Sequence, residues 1–178
     1  MQRRLLHNRM KNNPGQYTFG VLTLSDKGSR GEREDTSGAY IKETLVKNGY
    51  ELCSYNVIPD NKEIIIESLI ELTDKQKITL IVTTGGTGVS PTDLTPEAMT
   101  EVIEKEIPGM AEAMRAASLL KTPRAMLSRG KVGIRGESLI INLPGSLKAA
   151  RENLEVVLPV ISHALEKILG GTSDCGTV

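Results

Sequence analysis

Residues 78–88 read Ile78-Thr79-Leu80-Ile81-Val82-Thr83-Thr84-Gly85-Gly86-Thr87-Gly88, and this stretch decides the fold. Its first six residues form an apolar, β-branched run without polar alternation, the pattern of a strand covered on both faces. The run passes directly into a glycine-rich turn. On a parallel sheet such a turn lies at a strand's carboxyl end, where ligands of α/β proteins bind.

Outward from this strand, elements alternate. YTFGVLTLS over 17–25 predicts a first strand, and the nine residues from Asp26 to Glu34, none of them apolar, predict a surface loop. A helix is expected over 36–48, with Tyr40, Ile41, Leu45 and Val46 on one face and Asn48-Gly49 as its stop. A strand follows over 52–58, then the turn Pro59-Asp60-Asn61, then a helix over 62–73. Beyond the glycine turn, Thr95 reads as an N-cap with Pro96 in the first turn and Glu97 near the positive helix end. Residues 109–120 predict another helix, and 132–134 with 138–142 predict short strands in a hairpin. Ser146 should cap a long final helix that Pro159 kinks or restarts. This order predicts a three-layer α/β/α sandwich with a mostly parallel central sheet.

The chain has 178 residues, room for one domain, expected over 16–170. A flexible basic arm is expected over 1–15 and a flexible tail over 171–178. No further domain is expected after Val178. The 22 basic and 22 acidic residues cancel, yet Arg3, Arg4, Arg9 and Lys11 all lie in the arm. Without those four, 18 basic face 22 acidic residues from Gln16 onward, a mildly acidic body. A nucleic-acid-gripping body is therefore excluded, as is a membrane span, which needs about 18 consecutive apolar residues. Cys53 and Cys175 lack metal-ligand spacing and predict one core thiol and one tail thiol in a reducing cytosol. His7 falls in the arm and His163 on the last helix, so a histidine triad or histidine-rich metal site is ruled out.

The glycine turn offers the strongest chemistry. Gly85, Gly86, Thr87 and Gly88 form a backbone nest suited to phosphate, though neither a Walker A loop nor a dinucleotide fingerprint is present. A carboxylate beside such a nest repels phosphate unless a divalent cation lies between, and both Asp60 and Asp93 fall on this sheet edge. Asp60 taken alone also reads as a helix cap. Asp26 sits at the first strand's end, and Gly145-Ser146 at a helix N-terminus is a further anion site. Arg115, Arg129 and Lys148 are candidate cations.

The run TTGGTGVSPTDLTPEA over 83–98 resembles the signature of the molybdenum cofactor biosynthesis family of MogA/MoaB type, to which the G domains of gephyrin and its plant counterpart are similar. The likeness spans about 17–170. It includes Ser25-Asp26, Asp35, Ile58-Pro59-Asp60, Ile107-Pro108-Gly109 with Glu112 and Arg115, residues 125–129, and Ile134-Arg135-Gly136 through Asn142-Leu143-Pro144-Gly145.

That resemblance implies a molybdopterin adenylyltransferase, a cytoplasmic transferase that moves AMP from Mg-ATP to the terminal phosphate of molybdopterin. It implies that Asp60 and Asp93 are the essential aspartates and that Gly85 to Gly88 bind the nucleotide; on the physical reading of the residues, the two aspartates hold Mg²⁺ and orient the triphosphate. Ser118 and Ser128 match positions that hold the pterin. A homotrimer, and hand-over to a molybdate-insertion protein, are implied as well. Many relatives carry a basic residue just before the aspartate matching Asp93. Here Thr92 stands there, so a phosphate contact must come from elsewhere. Two rivals stay open: a non-catalytic cofactor-binding scaffold on the same fold, and an unrelated α/β nucleotide enzyme.

Overall fold

The computed structural model describes residues 17–172. The basic arm, Cys175 and all but two residues of the tail lie outside the described residues. Strands β1 (Thr18–Leu24), β2 (Glu51–Ile58), β3 (Leu80–Thr84), β4 (Lys105–Glu106), β5 (Val132–Arg135) and β6 (Ser138–Leu143) form one sheet in the order β2-β1-β3-β6-β5-β4. The first four in that order run parallel; β5 is antiparallel to β6 and β4 to β5. The interior strand expected over 78–83 forms two residues later, as Leu80–Thr84, and is buried along its whole length.

Alternation along the strands feeds two cores. Leu80 and Val82 of β3, with Leu139 and Ile141 of β6, face α2 (Thr36–Lys47), α5 (Pro108–Leu119) and α6 (Leu147–Ile168). Ile81 and Ile140 face the other way, toward α3 (Lys62–Ile70) and α4 (Thr95–Val102). Helices on both faces make the three-layer sandwich. Truncating any of these fully buried aliphatic residues to alanine should cost about 2–5 kcal/mol.

The structure corrects several local expectations. The polar segment after β1 opens with a one-turn helix, α1 (Asp26–Ser29), because the Ser25 hydroxyl accepts from Gly28 N at 3.0 Å. Thr95 is not an N-cap: it is already helical and fully buried, and its hydroxyl donates to the Gly85 carbonyl at 2.9 Å. Val46 is 51% exposed, so Ile41 and Leu45 carry that face of α2. Helix α6 runs unbroken through the exposed Pro159. Residues 71–75 form a π-helical turn that extends α3, and 123–127 form a 3₁₀ turn.

Cys53 is not a core thiol but an exposed one. The β1–β2 register skips it, Phe19 pairing with Leu52 and Gly20 with Ser54, so it is the extra residue of a bulge on the edge strand.

The parallel strands place their carboxyl ends on one edge. Chain order reverses there between β1 and β3, with β2 on one side of β1 and β3 on the other, and a crevice opens at such a point.

Candidate functional site

At that reversal lies a cavity of about 360 Å³. It is lined by Leu24 and Ser25 at the end of β1, Asp60 after β2, Gly85, Gly86 and Asp93 after β3, and Gly145-Ser146 after β6. Asn61, not Asp60, caps α3, its side chain accepting from Ile64 N at 2.9 Å. Asp60 is thereby left for the cavity and for one local bond: its Oδ2 accepts from Asp26 N at 3.0 Å, while Asp26 Oδ1 accepts from Asp60 N at 3.0 Å. The Asp26 side chain is thus spent on shaping the turn, and Asp26 does not line the cavity.

The glycine turn is bent by necessity. Gly85 and Gly86 have φ of +108° and +63°, the left-handed region that glycine enters without strain. A Cβ on Gly85 would lie 2.4 Å from the Leu24 carbonyl oxygen, and one on Gly86 2.4 Å from Thr95 Oγ1. The two carboxylates flank this turn: a Cβ on Gly86 would sit 3.5 Å from Asp60 Oδ1, and one on Gly88 2.8 Å from Asp93 Oδ2. Asp93 is held by Ser90 N at 2.8 Å. The N–H groups of Gly86, Thr87 and Gly88 find no acceptor among the described residues, which is what a phosphate nest requires.

Burial lifts the Asp60 carboxyl above the usual carboxylate range; the Asp26 N–H draws it back, and the negative charges of Asp26 and Asp93 push it up again. Such a pair asks for a cation. No cluster of three or more metal-ligating side chains exists among the described residues. Two carboxylates nonetheless suit Mg²⁺, which keeps several waters and takes its remaining oxygens from substrate phosphate.

A second cavity, about 270 Å³, lies beyond the glycine turn. Its lining includes Thr87 and Gly88, Pro144, Ser118, Ser128 and Asn153. The expected phosphate loop is therefore divided. Gly85 and Gly86 face the first cavity, Thr87 and Gly88 the second, and Gly145 and Pro144 divide the same way. Together these two segments form a thin wall between the cavities. Ser37 Oγ donates to Gly145 O at 2.9 Å and Thr84 Oγ1 to Pro144 O at 2.7 Å, which fixes one half of the wall.

Arg129 fixes the other half. Its backbone N–H donates to Thr87 O at 2.8 Å, Nε to Gly88 O at 2.6 Å and Nη2 to Asp93 O at 2.7 Å, while Nη1 pairs with Glu97. Arg129 is thus a clamp on the turn rather than a cation free for substrate. Lys148 is exposed and lines neither cavity, whereas Arg115 lines the second and donates to Gly130 O at 3.0 Å. Ser118 Oγ accepts from Asn153 Nδ2 at 3.0 Å. Ser146 caps α6 as expected, accepting from Ala149 N at 3.3 Å.

Sequence reasoning assigned no role to Asp35. It caps α2 through Gly38 N at 2.8 Å, and its Oδ2 accepts from both Thr23 Oγ1 and Tyr55 OH at 2.6 Å. The acid preceding a helical run was the visible signal for the cap; the Thr23 and Tyr55 contacts left no trace in the pattern.

A family model described as "Probable molybdopterin binding domain" matches residues 20–163. The molybdopterin adenylyltransferase of Helicobacter pylori (strain J99 / ATCC 700824) is 47% identical over 155 residues, covering 85% of this chain and 88% of that protein. That of Escherichia coli (strain K12) is 40% identical over 142 residues, 78% of this chain and 72% of the relative. The crystal structure of the molybdopterin biosynthesis enzyme MoaB from Thermus thermophilus superposes with a TM-score of 0.82. It is 50% identical and covers 87% of this chain and 98% of that one.

Proposed function

Because this chain belongs to the molybdopterin-binding domain family of molybdenum cofactor biosynthesis, we propose that it is a molybdopterin adenylyltransferase. Nucleotide binds in the first cavity and pterin in the second. The observation that carries this reading is the shared wall. One glycine turn presents Gly86 to the cavity of Asp60 and Asp93 and Thr87-Gly88 to the cavity of Ser118 and Ser128.

In the reaction, a terminal phosphate oxygen of molybdopterin attacks the α-phosphorus of ATP in line. A phosphorus–oxygen bond forms to the pterin phosphate, the bond from the α-phosphorus to its bridging oxygen breaks, and pyrophosphate leaves. The attacking phosphate is ionised at pH 7, so no general base is called for. Positioning and charge neutralisation supply the rate. The N–H groups of Gly86, Thr87 and Gly88 donate to phosphoryl oxygens whose charge grows in the transition state. Asp60 and Asp93 are the residues that would hold Mg²⁺, which supplies neutralisation of the triphosphate when bound. Asp26 keeps Asp60 oriented. Ser118 and Ser128 hold the pterin, Asn153 fixing the Ser118 hydroxyl.

A homotrimer, a cytoplasmic setting and hand-over of the product to a molybdate-insertion protein complete the proposal. Among the described residues no helix is long and apolar enough to cross a membrane.

The test is incubation of the purified protein with molybdopterin and Mg-ATP, followed by chromatography for adenylylated pterin and assay of pyrophosphate. Equimolar formation of both is expected. Nucleotide binding without either product would replace the enzyme with a cofactor-binding scaffold.

A further inference from the structure

The arginines among the described residues divide sharply. Five have their guanidinium groups taken by protein acceptors: Arg30 by Glu32, Arg115 by the Gly130 carbonyl, Arg129 by Glu97 and two carbonyls, Arg135 by Asp74, and Arg151 by Glu155. The guanidinium groups of Arg33 and Arg124 have no acceptor among the described residues. Each of these two lines a different cavity: Arg33 the first, Arg124 the second. Among the described residues no lysine lines either.

The charge around each explains why this matters. Among the described residues the first cavity is lined by the acidic Glu34, Asp35, Asp60 and Asp93, with Arg33 as its one cationic side chain. Even with a divalent cation on Asp60 and Asp93, a triphosphate there meets an acidic surround. The second cavity is lined by Arg115, Arg124 and Glu152. There Arg115 is tied to a backbone carbonyl, so Arg124 is the cation with its donors unspent. A guanidinium fork recognises phosphate with two parallel N–H bonds, and both side chains can turn toward a ligand without breaking a protein contact.

We infer that Arg33 and Arg124 sort the two substrates: Arg33 binds the polyphosphate of the nucleotide in the first cavity, and Arg124 binds the phosphate-bearing pterin in the second. The inference rests on the proposed adenylyl transfer for the identity of the second ligand. The Arg33 half needs only that the first cavity binds a nucleoside triphosphate. Arg33 also supplies the cation that the Thr92 position of the glycine turn lacks, since Thr92 lines the same cavity.

The experiment is a crossed pair of variants, Arg33→Gln and Arg124→Gln, each with its lysine counterpart. Mg-ATP affinity is measured by calorimetry, and KM for each substrate is measured in the transfer assay. Loss of one exposed charge-assisted contact should cost about tenfold in affinity, the low end of such bonds. Arg33→Gln is expected to weaken Mg-ATP binding about tenfold in Kd and KM while the pterin KM moves less than about twofold. Arg124→Gln is expected to do the reverse. The lysine variants should recover part of each loss, since the charge stays and the fork is gone. Unchanged Mg-ATP affinity in Arg33→Gln overturns the inference, as does a parallel shift of both KM values in either variant. Thermal melts that match the wild type exclude unfolding as the cause. Wild-type protein that binds Mg-ATP without forming product would sink the proposed reaction, and the calorimetric result for Arg33 would still decide the nucleotide half.

Discussion

Asp26 and Asp60 hold each other's backbones, the carboxylate of each accepting the other's N–H at 3.0 Å across the ends of β1 and β2. One Asp60 oxygen is thereby committed to structure, and the other, Oδ1, lies toward Gly86. Asp60→Asn keeps an amide oxygen for the Asp26 N–H and removes the charge. The variant should melt within a few degrees of wild type and lose about 100-fold or more in adenylyl transfer. A variant that keeps near wild-type turnover in excess Mg-ATP would remove Asp60 from the chemistry.

Gly85 and Gly86 should respond differently to a methyl group. Both carry the left-handed penalty of about 1–2 kcal/mol. The Gly85 methyl meets a backbone carbonyl that cannot turn aside, whereas the Gly86 methyl meets the Thr95 hydroxyl. Urea denaturation should therefore rank Gly85→Ala below Gly86→Ala in stability. Equal midpoints would show that the Leu24 carbonyl yields.

Removing the Arg129 clamp should loosen the turn on both sides. Arg129→Met strands the carbonyls of Gly88 and Asp93 and the Glu97 carboxylate, whose ionised form Arg129 favours by hydrogen bonding. The loss should be about 2 kcal/mol in stability. KM should rise for ATP and for molybdopterin together, since the turn faces both cavities. A rise confined to one substrate would contradict the shared wall.

Alkaline pH probes the Asp35 network. Burial first, then the hydrogen bond and charge of Asp35, hold the Tyr55 phenol well above its ordinary pKa of 10.0. Burial likewise pushes Tyr50 up to about 12. Above pH 10 the unfolded chain releases these protons before the folded chain does, so stability present below that pH is lost as pH rises. Tyr55→Phe should cost about 1 kcal/mol at pH 8 and fall less steeply than wild type between pH 9 and about 11. Parallel slopes would mean that Tyr55 does not contribute.

Much of the layering was legible because it depends on burial, and burial leaves a periodic trace. The uninterrupted 78–83 run marked an interior strand, and the glycines after it marked the place where backbone approaches ligand. Local competition was harder to read. Asp60 and Asn61 are both able caps, and only the folded chain shows that Asn61 takes the task and leaves Asp60 for the cavity. Arg129 looked available because its acceptors are largely main-chain carbonyls, which every residue has and no pattern distinguishes. The division of Gly85 to Gly88 between two cavities was also invisible, since neighbouring residues in a turn can face opposite directions. Cys53 misled for a related reason: a bulge shifts the two-residue period of a strand by one.

The wall of Gly85 to Gly88 and Pro144 to Ser146 has a consequence for how the two affinities can be tuned. Its consecutive residues line opposite chambers, so a shift of either segment alters both at once. Independent adjustment falls to linings outside the wall, among them the segment from Arg33 to Ser37 on one side and the 3₁₀ turn from Pro123 to Leu127 on the other. Sequence drift that retunes one ligand without the other should therefore collect in such outer segments, leaving the partition as it stands.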